Sequence, residues 1–366
     1  AIYRLRIDPQ TKSGEEDFRL MTSASRLSLP GGSRGVVPIF VERLGYRGPI
    51  TLAAKLPAGY RLDGAEIRAE ADGALVTVHR DASPALEPAL LTWTGRAVSG
   101  AERTVKIQGL PMESLQPWLA NEFAIAPVTA KAPEFQIDWP GLAADALLRP
   151  GKKLDLPVKV RHADEKATVR LSLLTSQNPP LINKQPDATR QLKAEKAIEL
   201  GPKISEGTVT LVVPAALTGM TFDFAILGEL LGADKKTVLA AATTPVRRLE
   251  LRSPLVVKLD GPARREVTLG PKSEPLPLAG TIERRDDFKG DVLVTLTGLP
   301  AGAKAETTVK AAETAFHLKV ALPAKLSAGE LSGLTLFATA AIDPQQPAVR
   351  VRSRDVPLTL NVKTAP

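Results

Sequence analysis

Three histidines are the residues of this chain best suited to proton transfer or metal binding, and their spacing favours neither use. Imidazole ligands of one metal ion commonly lie a few residues apart, as in a pair four apart on a helix. His79, His162 and His317 lie far from one another in the sequence, and His79 and His317 fall on the polar side of predicted strands. We interpret all three as surface histidines, so neither a metal site nor a cofactor is predicted.

The Gly-rich segment Gly31-Gly32-Ser33-Arg34-Gly35 resembles a phosphate-binding loop most closely. A phosphate loop ends in Lys followed by Ser or Thr and leads into a helix, whose N-terminus faces the phosphate. This segment lacks that ending and leads into a strand, which predicts a hairpin turn. The chain has no cysteine, so thiolate ligands and thiol nucleophiles are excluded. We expect no catalytic residues and no enzyme activity.

Acidic pairs occur in Glu15-Glu16-Asp17 and Asp286-Asp287. A calcium loop needs several oxygen ligands at alternating positions, and neither stretch supplies them. Solvated turns are favoured over a weak calcium site between domains.

The chain carries 48 Lys and Arg against 40 Asp and Glu, a net charge of +8. Basic doublets, such as Lys152-Lys153 and Arg264-Arg265, are interleaved with acids and lack the aromatic platforms of nucleic-acid modules. Specific nucleic-acid binding is therefore not expected, whereas weak attraction to an anionic polymer or surface is compatible with the charge. The uncharged stretch Gly207–Phe222 is too short, and too interrupted by proline and glycine, to span a bilayer.

Large rings and cations at predicted turns supply the candidate contact residues. A ring that covers the end of its own domain is favoured over a ligand contact for Tyr46 and Phe288. The tentative interaction residues are Arg43, Tyr46, Arg47, Arg285, Phe288 and Lys289.

Apolar residues alternate with polar ones over many short segments that must position these side chains. From Lys153 to Arg161 every second residue is aliphatic, which is typical of a half-buried strand. Gly (27) and Pro (31) are abundant, while aromatic residues reach only 4%, so short strands with aliphatic cores are predicted.

Three stretches about 120 residues apart share an order of turns and strands, which predicts one sandwich domain each. The first and third share Glu42-Arg43 and Glu283-Arg284, an aromatic-x-Gly turn at Tyr46 and Phe288, and a Leu-Pro-Ala-Gly turn; the middle stretch diverges there. The predicted fold is all-β: three tandem immunoglobulin-like β-sandwich domains in an elongated array. The boundaries are 1–16 for a linker from a preceding domain, then 17–131, 132–253 and 254–366. Prolines near the junctions predict a semi-rigid rod.

The segments Tyr3–Ile7 and Asp17–Leu20 look like the exit from a bacterial pre-peptidase C-terminal domain. The string Pro38, Glu42-Arg43, Tyr46-x-Gly48, Leu56-Pro57-x-Gly59 resembles modules that follow such domains in large secreted proteins of planctomycete-type bacteria, and is similar to NEW3-type sandwiches. The resemblance implies an exported, non-catalytic accessory segment. The chain begins with Ala1, and we expect it to belong to a longer or processed polypeptide.

The preferred hypothesis is an extracytoplasmic structural or adhesive segment, either secreted, periplasmic or on the cell surface. It would act as a spacer and contact other proteins, an anionic envelope polysaccharide or further copies of itself through strand edges. The alternative is a carbohydrate-binding or substrate-presenting accessory region of a larger secreted hydrolase.

Overall fold

The computed structural model describes residues 16–364 except 83–86, 111–114, 129–133, 142, 144–145, 163–165, 184, 271–273, 287, 302, 304, 324–325 and 344. The predicted linker lies outside these residues apart from Glu16, and so does the predicted division at 131/132. Within the described part the one helix is a 3-10 turn, Pro117–Asn121, and everything else regular is strand. The predicted all-β class is confirmed.

The first unit, as we name the strands up to Pro127, contains eleven strands. They are β1 (Asp17–Thr22), β2 (Arg26–Leu29), β3 (Arg34–Leu44), β4 (Ile50–Ala54), β5 (Tyr60–Asp63), β6 (Glu66–Ile67), β7 (Gly73–Arg80), β8 (Ala89–Leu91), β9 (Trp93–Ala97), β10 (Glu102–Ile107) and β11 (Phe123–Pro127).

The second unit follows. Its strands are β12 (Phe135–Asp138), β13 (Leu147–Leu148), β14 (Lys153–His162), β15 (Thr168–Thr175), β16 (Leu181–Ile182), β17 (Gln185–Pro186), β18 (Lys193–Ala194), β19 (Ile198–Leu200), β20 (Glu206–Val212), β21 (Thr221–Leu231), β22 (Val238–Thr243) and β23 (Arg247–Leu251).

The third unit completes the described chain. Its strands are β24 (Leu255–Leu259), β25 (Arg264–Leu269), β26 (Leu276–Arg284), β27 (Val292–Thr297), β28 (Ala305–Val309), β29 (Ala315–Val320), β30 (Gly329–Ala341), β31 (Arg350–Arg352) and β32 (Val356–Thr364).

The second and third units share one strand order. In the third unit the sheets run β24-β26-β29 and β25-β32-β30-β27-β28. In the second unit β12-β14-β20 and β13-β23-β21-β15-β19 follow the same order, and β18 adds an edge strand beside β20. In each, a short early strand pairs parallel with the last strand, β13 with β23 and β25 with β32. Side chains from both sheets of each unit meet in one core, as in an immunoglobulin-like sandwich.

The first unit varies this plan by joining its sheets at an edge. The strands β5-β7-β3-β1 and β10-β9-β4-β6 form one eight-stranded sheet because β1 and β10 pair in parallel, with Leu20 opposite Val105. A separate sheet, β2-β11-β8, closes the core from the other side. The extra pairing covers the β1 edge, which would otherwise expose unpaired backbone groups.

The cores follow the alternation in the sequence. Leu156, Val158 and Val160 of β14 are buried while their neighbours Lys159 and Arg161 are exposed. Trp93 is 2% exposed and packs edge-on against Phe123, with ring centroids 6.1 Å apart. Each buried side chain of this size contributes about 2–3 kcal/mol of apolar burial.

Two tryptophans near the predicted first junction do not pack between the units. Trp139 belongs to the core of the second unit, where its Nε1 donates a hydrogen bond to the carbonyl of Pro245 (2.7 Å). Trp118 is 44% exposed and lies on the 3-10 turn Pro117–Asn121.

The first and second units pack side by side through the outer faces of their sheets. Val36 on β3 and Leu75 on β7 meet Ala225 on β21 in a small buried cluster, with Leu174 and Val246 against it. These residues point away from the cores of their own units, because their strand neighbours fill those cores. The outer faces therefore form a fourth apolar contact, separate from the three cores.

The backbones approach closely at the same contact. A Cβ added at Gly73 would lie 2.9 Å from the carbonyl oxygen of Ser176 in the second unit and 2.5 Å from that of Ile39. The position therefore accommodates glycine and no larger residue.

The third unit contacts both others. Asp286 pairs with Arg252 (3.2 Å) and Arg149 (4.0 Å) of the second unit. Arg354 forms an ion pair with Glu70 of the first unit. A straight rod would keep the first and third units apart, so the array is bent where these residues meet.

Candidate functional site

Arg43, one of the predicted interaction residues, is surrounded by backbone carbonyl groups of its own unit. Its guanidinium donates hydrogen bonds to the carbonyls of Ala71 (3.1 Å), Tyr46 (3.2 Å), Gly48 (2.9 Å) and Arg68 (2.8 Å). These hydrogen bonds tie the end of β3 and the turn that follows it to the segment before β7. Because four of its hydrogen bonds are already made, little donor capacity is left for a ligand.

Tyr46 is likewise held inside the unit. It is 7% exposed, its hydroxyl donates to the carbonyl of Pro49 (2.8 Å), and its ring lies 5.7 Å from that of Phe18. A Cβ added at Gly48 would collide with the tyrosine ring. The aromatic-x-Gly motif is thus a ring folded back over a glycine, which covers the end of the sandwich.

The third unit repeats this arrangement with Arg284 and Phe288. Arg284 donates to the carbonyls of Glu313 (2.6 Å) and Lys310 (2.9 Å), and more distantly to that of Gly290 (3.4 Å). A Cβ on Gly290 would lie 3.0 Å from the Phe288 ring. In both units the shared motif therefore surrounds an arginine side chain with backbone carbonyl groups, an arrangement that we call the arginine cage. The sequence alone did not reveal this role.

The remaining predicted residues lie in two separate places. Arg47 is exposed and pairs with Glu70 at 3.8 Å. Arg285 pairs with Glu283 at 2.7 Å, and Lys289 is exposed on the same turn of the third unit. A ligand role for any of the six stays a prediction.

Residues of all three units line one cleft of about 290 Å3, which we call the junction cleft. Arg43, Arg47, Glu70 and Asp72 come from the first unit, and Arg354 from the third. The second unit supplies its lining from residues 218–220. Cations and acids alternate around the cleft, which favours cohesion between the units over binding of a charged ligand.

In the second unit the segment around 178–183 takes the place of the Leu-Pro-Ala-Gly turn, and we call it the diverged segment. It lies against the first unit at Asp72. The backbone N–H of Asn178 donates a hydrogen bond to the Asp72 carboxylate, and the positive charges of Arg43 and Arg190 also stabilise its ionised form. Burial outweighs these effects and raises the pKa of Asp72 to about 6. The segment that departs from the repeat is thus one of those that hold the two units together.

Asp223 closes the opposite side of the same contact. Its carboxylate accepts hydrogen bonds from Arg248 at 2.7 and 3.2 Å, and it lies 3.5 Å from the backbone nitrogen of Leu75 in the first unit. Beside this pair is a cleft of about 240 Å3 between the units, lined by Arg34 and His79 among others. An adjoining cleft of about 460 Å3 is also lined by Arg34 and His79, together with residues 30–33 of the loop before β3.

The segment Gly31–Gly35 also has the spacing G-x-S-x-G, which marks a serine nucleophile when it joins a strand to a helix. Here it joins β2 to β3, and the Ser33 hydroxyl donates to the carbonyl of Pro30 (2.7 Å). Among the described residues, His79 makes no hydrogen bond to Ser33 or to a carboxylate. The triad geometry of a serine hydrolase is therefore absent from this part of the chain.

In the described ranges, no group of three or more His, Asp or Glu side chains is arranged to hold a metal ion. No helix in the part of the chain that the structure describes is long and apolar enough to cross a membrane.

No protein-family model and no curated protein matches the sequence. Among solved structures, an ICAM-5 D1–D4 ectodomain fragment is 13% identical with a TM-score of 0.24, covering 95% of this chain and 78% of that one. A tetra-tandem repeat from the extending region of a large adhesion protein is 13% identical with a TM-score of 0.22, covering 94% and 74%. An Escherichia coli alpha-2-macroglobulin is 13% identical with a TM-score of 0.26, covering 95% and 33%. These TM-scores are too low to assign the fold by similarity, so the fold assignment rests on the strand order.

Replacing Arg43 by lysine tests the cage. Lysine keeps the charge but cannot reach four carbonyls with a planar fork, so we expect the free energy of unfolding to fall by about 1–3 kcal/mol. Arg47→Lys is the matched control, since its exposed ion pair contributes less than about 1 kcal/mol. Urea titrations of both variants would measure this, and equal stability of the two would contradict a structural role for Arg43.

The raised pKa of Asp72 predicts a dependence of stability on pH. The native state binds a proton on Asp72 more tightly than the unfolded chain does, since the ordinary pKa of the carboxyl is 3.8. The contribution of this group to the free energy of unfolding therefore falls as the pH rises from about 4 to about 6, and it stays low at higher pH. We expect the stability advantage of Asp72→Asn over the parent to be larger at pH 7.5 than at pH 4.5, by roughly 1–3 kcal/mol in the free energy of unfolding.

The exposed Asp81→Asn serves as the control for that comparison. Thermal or urea unfolding of the three proteins at both pH values gives the result. A difference in the free energy of unfolding between Asp72→Asn and the parent that is equal at the two pH values would contradict a raised pKa of Asp72.

Proposed function

We propose that this chain is a non-catalytic structural segment, in which three sandwich domains, divided near 131/132 and 253/254, act outside the cytoplasm as one bent spacer and present surfaces to other proteins. The observation that carries the proposal is the contact of Val36, Leu75 and Ala225, which joins two units through sheet faces that a flexible tether would leave in water. A module that must keep a fixed shape between its ends needs such a contact.

Two further features support the proposal. The ion pairs of Glu70 with Arg354 and of Asp286 with Arg252 tie the third unit to the others. The repeated motif residues Arg43 and Arg284 serve the turns themselves, so the features that the units share are concerned with folding. Functional specificity is then carried by surfaces that differ between the units.

Fractionation of the cells that make the full-length polypeptide tests location and partners. We expect it in the envelope or the medium, with a partner at constant stoichiometry identified by mass spectrometry after mild cross-linking. Recovery in the cytosolic fraction would contradict the proposal.

Activity assays with ester, peptide and glycoside substrates test the absence of catalysis. We expect Ser33→Ala and His79→Ala to give the same background rate as the parent, because neither side chain is engaged in a triad. Turnover by the parent that Ser33→Ala abolishes would overturn the proposal.

A further inference from the structure

A row of three basic side chains crosses the face of the first unit that is turned toward the second. His79 on β7 lies directly opposite Arg34 on β3 and, on its other side, directly opposite Arg61 on β5. Residues that are opposite one another on adjacent strands point to the same face, with Cβ atoms about 5 Å apart. Like charges in this relation are unfavourable, so a proton on His79 between Arg34 and Arg61 is disfavoured unless something negative lies beside the row.

The protein supplies little of that negative charge. Neither the Arg34 nor the Arg61 side chain has a hydrogen bond or an ion pair among the described residues, whereas the side chains of Arg19, Arg103, Arg170 and Arg264 on other sheet faces do. The other arginine of the cleft, Arg248, is already paired.

The acids near the row are few or occupied. Asp63, opposite Thr77, is the one acid of the row's own sheet that lines the smaller cleft. The carboxylate of Asp223 is taken by Arg248. In the adjoining cleft are Glu134 and Asp138, and the latter accepts a hydrogen bond from the N–H of Trp139.

The second unit encloses two members of this row, Arg34 and His79, in a cleft, while Arg61 stays exposed. Arg34 is half-buried, and it lines both the 240 Å3 cleft and the adjoining one together with His79. A space of 240 Å3 is below the roughly 300 Å3 at which drug-sized pockets begin, so it suits one small group.

We propose that Arg34 and His79, which line the cleft between the first and second units, bind an oxyanion there together with the exposed Arg61 opposite His79 on the neighbouring strand, the group being a phosphate or the carboxylate of an acidic sugar. Guanidinium groups on either side of an imidazole offer donors to two oxygens of one anion, with the geometry that carboxylate and phosphate share. The site goes beyond the proposed structural function, and the two share one requirement, that the first and second units pack as described.

The ionisation of His79 provides a local readout. Burial, Arg61 and Arg34 lower the pKa of this histidine, while Asp63 opposes them. A bound anion adds an opposing negative charge within a few ångströms, and it therefore raises the pKa by about one unit or more. The chain has only three histidines, so each imidazole can be followed separately by NMR.

The experiment titrates the intact chain with inorganic phosphate and, in a separate arm, with glucuronate, at 150 mM NaCl. We expect saturable shifts of the His79 ring resonances and a raised pKa, with His317 of the third unit unchanged. Saturation by phosphate alone, by glucuronate alone or by both identifies which oxyanion is bound. No saturation by either at 50 mM would overturn the proposal.

Charge-neutralising variants separate a site from general attraction. Arg34→Gln and Arg61→Gln are each expected to weaken binding at least fivefold, since a charged hydrogen bond is lost. Arg96→Gln removes the same charge from an exposed position on β9 and is expected to leave binding unchanged. Equal weakening by Arg96→Gln, or equal shifts of all three histidines, would contradict a defined site. Arg61 is exposed, so its variant remains informative if Arg34→Gln fails to fold.

Discussion

The contact between the outer sheet faces of the first and second units is the constraint on which the other features depend. Val36, Leu75 and Ala225 are each less than 10% exposed although they lie outside the cores of their units. By area, their burial contributes a few kcal/mol at most, which is small beside a core but decisive for the relative placement of two domains. The clefts on either side of this contact exist only because the faces are held together.

Much of the fold follows from the sequence because the strand signal is strong and local. The alternation in β14 and the matched turns of the first and third units predicted strands and repeats that the structure contains. The strand order could not be predicted, since the parallel pairing of β25 with β32 joins segments about 100 residues apart, and no local pattern specifies it. The domain boundaries stay a prediction.

The side-by-side packing had a signal that period-two analysis overlooks. The runs Val36–Val41 and Gly73–Val78 are almost uninterrupted by polar residues, a pattern typical of strands that are covered on both faces. Proline near the junctions predicted a semi-rigid rod, but proline stiffens a linker without fixing the direction in which the next domain lies. That direction is set by the apolar outer face and by the diverged segment at Asn178.

The candidate interaction residues were predicted from their types and their places at turns, and their ligand role stays a prediction. Arg43 and Tyr46 drew attention as a cation beside a ring, and they prove to be occupied by their own turn. Sequence cannot distinguish a caged arginine from a free one, because two of the four carbonyls around Arg43 come from residues more than 20 positions away. The row of Arg34, His79 and Arg61 was missed for the same reason, since three strands bring it together.

A distance measurement between the first two units tests the central claim most directly. The chain has no cysteine, so Glu102→Cys and Glu199→Cys, both exposed, would carry the only two spin labels. Double electron–electron resonance is predicted to give one narrow distance distribution, which broadens when Leu75→Asp places a charge in the buried contact. A broad distribution in the parent, or a narrow one that Leu75→Asp leaves unchanged, would contradict the packing of the two units through their outer faces.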